Sequence, residues 1–146
     1  MKERIKDIIG NDFLFKNKLI KSRYPFNAKR VGLYFSSYLC ESCKIMSPLI
    51  KTIFQDANKN SKNMEIVQIS LDKTKSDFDK STHDANWLII PFNDKRIPKL
   101  IRICNVKLIP KLVILREDGS EITQNGIEDI FNLQHYSLLR WFGKPI

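Results

Sequence analysis

Two cysteines three residues apart, Cys40 and Cys43, stand where one apolar pattern gives way to another. Before them, Val31-Gly32-Leu33-Tyr34-Phe35 is short and apolar, the signature of a buried strand. After them, from Glu41 to about Asn60, Ile45, Met46, Leu49, Ile50, Ile53, Phe54 and Ala57 recur at helical spacing. Pro48 falls inside that pattern, so a kink is expected near the first turns. A strand that runs through Cys-Glu-Ser-Cys straight into a helix constrains both fold and chemistry. Cys40 then sits at a helix N-terminus, where unpaired backbone N–H groups and the positive dipole end favour thiolate. Cys43 lies one turn on, on nearly the same face, within reach of a mixed disulfide formed at Cys40. That placement suits thiol–disulfide exchange, with Cys40 attacking and Cys43 resolving. Glu41 opposes a neighbouring thiolate, but an exposed, screened carboxylate is expected to yield to the helix terminus, leaving Cys40 partly ionised near neutral pH.

The remaining chain predicts a strand over Met64 to Leu71 and a polar helix from Ser76 to Ala85, with Ser76 as N-cap. A short helix follows over Lys95 to Cys104, broken in the middle or at its start by Pro98, then a strand from Lys111 to Arg116. Glu117-Asp118-Gly119-Ser120 is a hairpin turn leading into a strand at Glu121 to Thr123. Ile130, Leu133, Leu138, Leu139, Trp141 and Phe142 mark a C-terminal helix over residues 129–142. Parallel strands joined by crossover helices and closed by an antiparallel hairpin give an α/β fold, a mixed central sheet with helices on both faces.

Ile109-Pro110 directly precedes the strand that begins at Lys111. Proline at a strand's first residue costs no ladder bond. It also permits a cis peptide whose backbone faces the dithiol and pairs with an extended substrate, an isomer that sequence does not assign. Tyr34-Phe35-Ser36, Cys40 and Cys43, Pro48, Ile69-Ser70 with Asp72, Trp87-Leu88 before Pro91-Phe92, Ile109-Pro110 and Asp118-Gly119 together resemble the thioredoxin superfamily over residues 31–126. The Trp-Leu and Pro-Phe stretch resembles its tryparedoxin/nucleoredoxin branch. The resemblance implies a thioredoxin-like fold, a cis Pro110, Cys40 as nucleophile, Cys43 as resolving thiol, and reduction of protein disulfides with no bound cofactor.

Departures from the branch cluster around the dithiol. Leu39 replaces a tryptophan before the first cysteine, Glu41 and Ser42 replace two prolines, and Leu71-Asp72-Lys73 stands for Trp-Asp-Glu. The chemistry is retained while the recognition surface is rewritten. Leu39, Glu41, Ser42, Leu71, Asp72, Ile109 and Pro110 are the expected substrate-groove residues. The implied partners are disulfide-containing proteins, peroxiredoxins among them, and an upstream reductant that is either a low-molecular-weight thiol or a reductase. The rival reading is a protein-binding module of the same fold with weak or no turnover, which Leu39 and Leu71 favour.

Composition narrows the setting. The chain has 146 residues and a formal net charge of +9, and 42% of its residues are hydrophobic, enough for one cored domain. Nine basic and three acidic residues lie within the first 30, which are read as a basic N-terminal extension packed on a thioredoxin-like domain over 31–146. Ile5, Ile8, Ile9, Phe13, Leu14, Leu19 and Ile20 are interleaved with those charges, as in a short amphipathic helix with an apolar edge. No zinc-finger spacing or RNA-binding aromatic motif accompanies the charge, so nucleic acid is not an expected partner. Apolar runs such as Leu112 to Leu115 fall far short of the ~20 residues that span a bilayer. With no secretory h-region and three cysteines, a monomeric cytoplasmic protein is expected, not a disulfide scaffold. Cys104 reads as an inert core thiol, and a Cys40–Cys43–Cys104–His83 zinc site is a distant alternative, so no metal is expected.

Overall fold

The computed structural model describes residues 2–21 and 23–146, with side chains from Ile5 onward in those ranges. Among the described residues, seven strands form one sheet in the order β2-β1-β5-β4-β3-β6-β7. In chain order they are β1 (Phe13–Phe15), β2 (Lys18–Ile20), β3 (Arg30–Ser36), β4 (Met64–Ser70), β5 (Leu88–Ile89), β6 (Lys111–Arg116) and β7 (Glu121–Thr123). The helices are α1 (Lys2–Ile9), α2 (Glu41–Ala57), α3 (Lys75–Thr82), α4 (Arg96–Ile103), α5 (Gly126–Leu133) and α6 (Ser137–Phe142).

The central strands are buried on both sides, and pleating sends alternate residues into two cores. Val31, Leu33 and Phe35 of β3 join Ile5, Ile9, Phe13, Leu100 and Cys104 beneath α1 and α4. Tyr34 points the other way, among Met46, Ile50, Trp87, Ile130 and Trp141 beneath α2, α3, α5 and α6. Gly32 shares that second face, where an added Cβ would meet Leu112 Cδ1 at 3.2 Å and Ile66 Cγ1 at 3.3 Å.

Register brings the functional end together. β3 runs parallel to β4, with Ser36 opposite Ser70, and antiparallel to β6, with Phe35 opposite Lys111. The C-terminal ends of β3 and β4 and the N-terminal end of β6 therefore share one edge of the sheet. The loops carrying Cys40, Asp72 and Pro110 all leave from that edge.

Four elements differ from the sequence reading. Thr74, not Ser76, caps α3: its hydroxyl accepts the Asp77 N–H at 3.1 Å, so the helix starts at Lys75. Pro98 breaks nothing, because it sits in the first turn of α4, where N–H groups lack intrahelical partners. The single helix expected over 129–142 is two, separated at Gln134 (φ 52°) by a short 3-10 turn. A continuous helix would hold Asp129 and Trp141 about 18 Å apart along its axis. The reversal instead lets Trp141 Nε1 donate to Asp129 Oδ2 at 2.9 Å and buries the indole. Finally, the N-terminal helix ends at Ile9, and residues 13–20 form a hairpin turning at Lys16-Asn17, both at positive φ. Its strand β1 pairs with β5 through Leu14 and Ile89. A three-residue strand gives too few alternations to be seen as a period.

Candidate active site

Cys40 is the N-cap of α2, with extended backbone (φ −89°, ψ 108°), and its Sγ accepts the Cys43 N–H at 3.1 Å. This bond needs a side chain that accepts, which is why a cysteine can stop the strand-to-helix loop here. Cys40 and Cys43 are joined by a disulfide across a Cα–Cα distance of 5.2 Å. Their surroundings differ: Cys40 is half-exposed and Cys43 is buried, 3% exposed. Glu41 points to solvent and meets Lys44 Nζ at 3.4 Å, while Ser42 is also exposed.

The loop before Cys40 is held from the other side of the sheet end. Asp72 Oδ1 accepts the Tyr38 N–H at 2.7 Å, and its Oδ2 accepts the hydroxyls of Ser70 and Ser81, each at 2.6 Å. One carboxylate thus joins the end of β4, the last turn of α3 and the segment two residues before the first cysteine. Leu71, half-buried, ties in through its N–H to the Ser36 carbonyl at 2.8 Å.

Below the dithiol, Tyr34 is fully buried, and its hydroxyl lies 2.6 Å from Ser47 Oγ and 3.5 Å from the Cys43 carbonyl oxygen. Burial raises the pKa of this phenol, against the hydrogen bonds of Ser47 and Ser36. It therefore stays neutral across the physiological range and can donate a hydrogen bond beneath α2. Trp87 packs edge-on to Tyr34 and Phe54, and its Nε1 donates to Gln68 Oε1 at 2.9 Å.

On the β6 side, the Ile109–Pro110 peptide is cis and both residues are half-buried. Leu108 just before them is 82% exposed, and Leu39 beside Cys40 is 75% exposed. Two bare leucines thus flank the sheet end that carries the dithiol. Cys104 lies elsewhere: it is buried beside α4 and its thiol is pushed up to about 12, first by desolvation and then by Glu121, against Lys111. His83 is exposed, with Nδ1 2.9 Å from Asp84, and no group of three or more His, Cys, Asp or Glu among the described residues could hold a metal ion.

A model of a family described as thioredoxin-like matches residues 27–121. The chain belongs to the thioredoxin-like family. The thioredoxin-like chain is 25% identical over 141 residues to the nucleoredoxin of Danio rerio, covering 96% of itself and 34% of that protein. It thus spans about a third of the length of the curated relatives it matches. Among solved structures it is similar to tryparedoxin II from C. fasciculata, at 26% identity and a TM-score of 0.80, covering 96% of this chain and 94% of that one. It is also similar to the thioredoxin of Wuchereria bancrofti, at 28% identity and a TM-score of 0.76, covering 93% and 96%. The tryparedoxin/nucleoredoxin likeness read from the motifs and the α/β fold read from the element order both hold.

The groove residues expected from sequence share the end of the sheet, but they do not act alike there. Leu39, Glu41 and Ser42 face solvent, whereas Asp72 is a bracket for the loop. Tyr38, Ser47 and Ser81 complete the bracket and the floor, and none of them is among the residues expected from the sequence. Ser81 carried no signal of its own beyond standing in a polar helix.

Proposed function

We propose that this chain reduces protein disulfides through a Cys40–Cys43 cycle. The observation that carries the reading is the asymmetry of the pair: a half-exposed cysteine capping a helix, its sulfur bonded by the N–H of a buried partner. The helix terminus and that N–H favour thiolate at Cys40 in the reduced form. Its sulfur attacks a substrate disulfide, forming a mixed disulfide and expelling one substrate thiolate. Cys43 then attacks Cys40 Sγ, releasing the second substrate thiol and closing the Cys40–Cys43 disulfide. Two electrons pass to the substrate, and a thiol donor returns them. Leu39, Glu41, Ser42, Leu71, Ile109 and Pro110 frame the groove, and Asp72 positions its loop. Peroxiredoxins are candidate substrates. The donor is a low-molecular-weight thiol or a reductase, and the setting is the cytoplasm, in keeping with the lack of any helix among the described residues long and apolar enough to cross a membrane.

A second reading, a binding module with little turnover, is favoured by the exposure of Leu39 and Leu108. Insulin reduction separates the two. The reduced wild type should turn over, Cys40→Ser should lose the activity, and Cys43→Ser should accumulate a covalent adduct visible by mass. Equal rates for wild type and Cys40→Ser would refute the enzymatic reading.

A further inference from the structure

A cleft of about 670 Å³ opens on the α2–α3 side of the dithiol, away from Pro110. One wall is a face of α2 carrying Cys43, Lys44, Ser47 and Lys51; the other carries Lys80, Ser81 and Asp84, over a floor that includes Trp87. The size falls in the range of ligand clefts, about 300–1,000 Å³, and admits a few amino-acid residues. Its charge is one-sided. Lys44 and Lys80 place their ammonium groups 4.5 Å and 5.2 Å from the centroid of the same Tyr38 ring. Lys51 reaches across to the Asp84 carbonyl at 2.7 Å. Three lysines thus meet one carboxylate in the lining, and that carboxylate is 82% exposed and paired with His83. Two further carboxylates lie close by: Asp72, half-buried and taken up by the Tyr38 N–H and the hydroxyls of Ser70 and Ser81, and Glu41, 84% exposed and only loosely paired with Lys44.

We propose that this cleft binds a short acidic segment of a polypeptide partner, its carboxylates meeting Lys44, Lys51 and Lys80 and its backbone lying over the Trp87 floor. The inference deepens the redox reading and rests on it: Cys43 lines the cleft while Cys40, one turn away, does not, so an occupant lies beside the pair, and that occupant is the acidic flank of a disulfide substrate. Positive charge at the mouth raises the encounter rate with such substrates and lowers it for basic ones. Tyr38 links the parts. Its ring carries the two ammonium groups, and its N–H is fixed by Asp72.

The test uses two fluorogenic disulfide peptides of equal length, one with Asp/Glu flanks and one with Lys flanks, together with cysteine-free versions of both for equilibrium binding. At low salt the acidic disulfide should be reduced about ten-fold faster than the basic one, and the gap should close as salt screens the lysines. Lys44→Glu and Lys80→Glu are surface changes, and each should weaken binding of the acidic cysteine-free peptide about three-fold or more. Equal reduction of both disulfides by the wild type overturns the proposal and leaves the redox reading intact. Reduction of neither defeats the redox reading. The cysteine-free peptides then decide the cleft alone: preference for the acidic peptide upholds it, and no preference overturns it.

Discussion

Asp72 shows how much one side chain decides at this site. Its two oxygens accept three hydrogen bonds, from the Tyr38 N–H, Ser70 and Ser81, all at 2.6–2.7 Å. Asp72→Ala leaves those donors unpaired and should cost about 1–3 kcal/mol in urea unfolding. Asp72→Asn, which keeps one acceptor for Tyr38, should lose less and retain more reductase activity than the alanine variant. Cys104 is legible as a core thiol from its neighbours Leu100, Ile101 and Ile103 alone, but its energetic consequence needs the fold. With its pKa raised from 9.0 to about 12, it contributes stability that is present below pH 9 and is lost as pH rises toward 12. Tyr34, also raised, adds to the loss above about pH 10. Urea midpoints measured between pH 8 and 11 should therefore fall, and Cys104→Ala should show a shallower fall.

At the scale of elements, periodicity was a sound guide wherever one face had to be buried. Strands β3, β4 and β6 and helix α2 are long enough for their apolar spacing to be unambiguous, and they lie within a residue or a few of where the pattern puts them. The failures are at ends and breaks, where a single hydrogen bond or a tertiary contact decides. Thr74 outcompetes Ser76 as a cap by geometry. The break at Gln134 is enforced by Trp141 reaching Asp129, which no local propensity encodes. Helix α5 supplies a sharper case. A Cβ on Gly126 would lie 2.7 Å from the Leu112 carbonyl oxygen and 2.8 Å from Leu112 Cγ, so α5 can meet β6 only because that residue is glycine. Gly126→Ala should cost about 1–3 kcal/mol or more, read as a fall in thermal midpoint with the dithiol chemistry retained.

Across the whole molecule, the N-terminal segment is where charge pattern and architecture diverge. Its basic residues dominate the sequence, yet Ile9 and Phe13 are fully buried and β1 pairs with the edge of β5. Arg96 fastens the same region, with Nη1 donating to the carbonyls of Ile9 at 2.8 Å and Asp12 at 2.9 Å. Deleting residues 1–21 should therefore uncover a strand edge and the core under α1, at a cost of several kcal/mol at about 1.5–3 kcal/mol per large buried side chain. Loss of the cooperative unfolding transition, or aggregation on refolding, is the expected readout. A truncated chain as stable as the full one would show that the segment is dispensable to the core.

The sequence alone determined the alternation of strands and helices, the position of Cys40 and Cys43 at a strand–helix junction, and the proline before β6. All three are local features, written in the spacing and conformational limits of adjacent residues. Only the tertiary structure decided the exposure of one cysteine and the burial of the other, the Asp72 bracket, and the lysine-lined cleft. Those depend on sheet register. Opposing Ser36 to Ser70 and Phe35 to Lys111 carries residues from positions 38, 72, 81 and 110 to one edge, and contacts between segments so far apart in the chain leave no periodic trace in it.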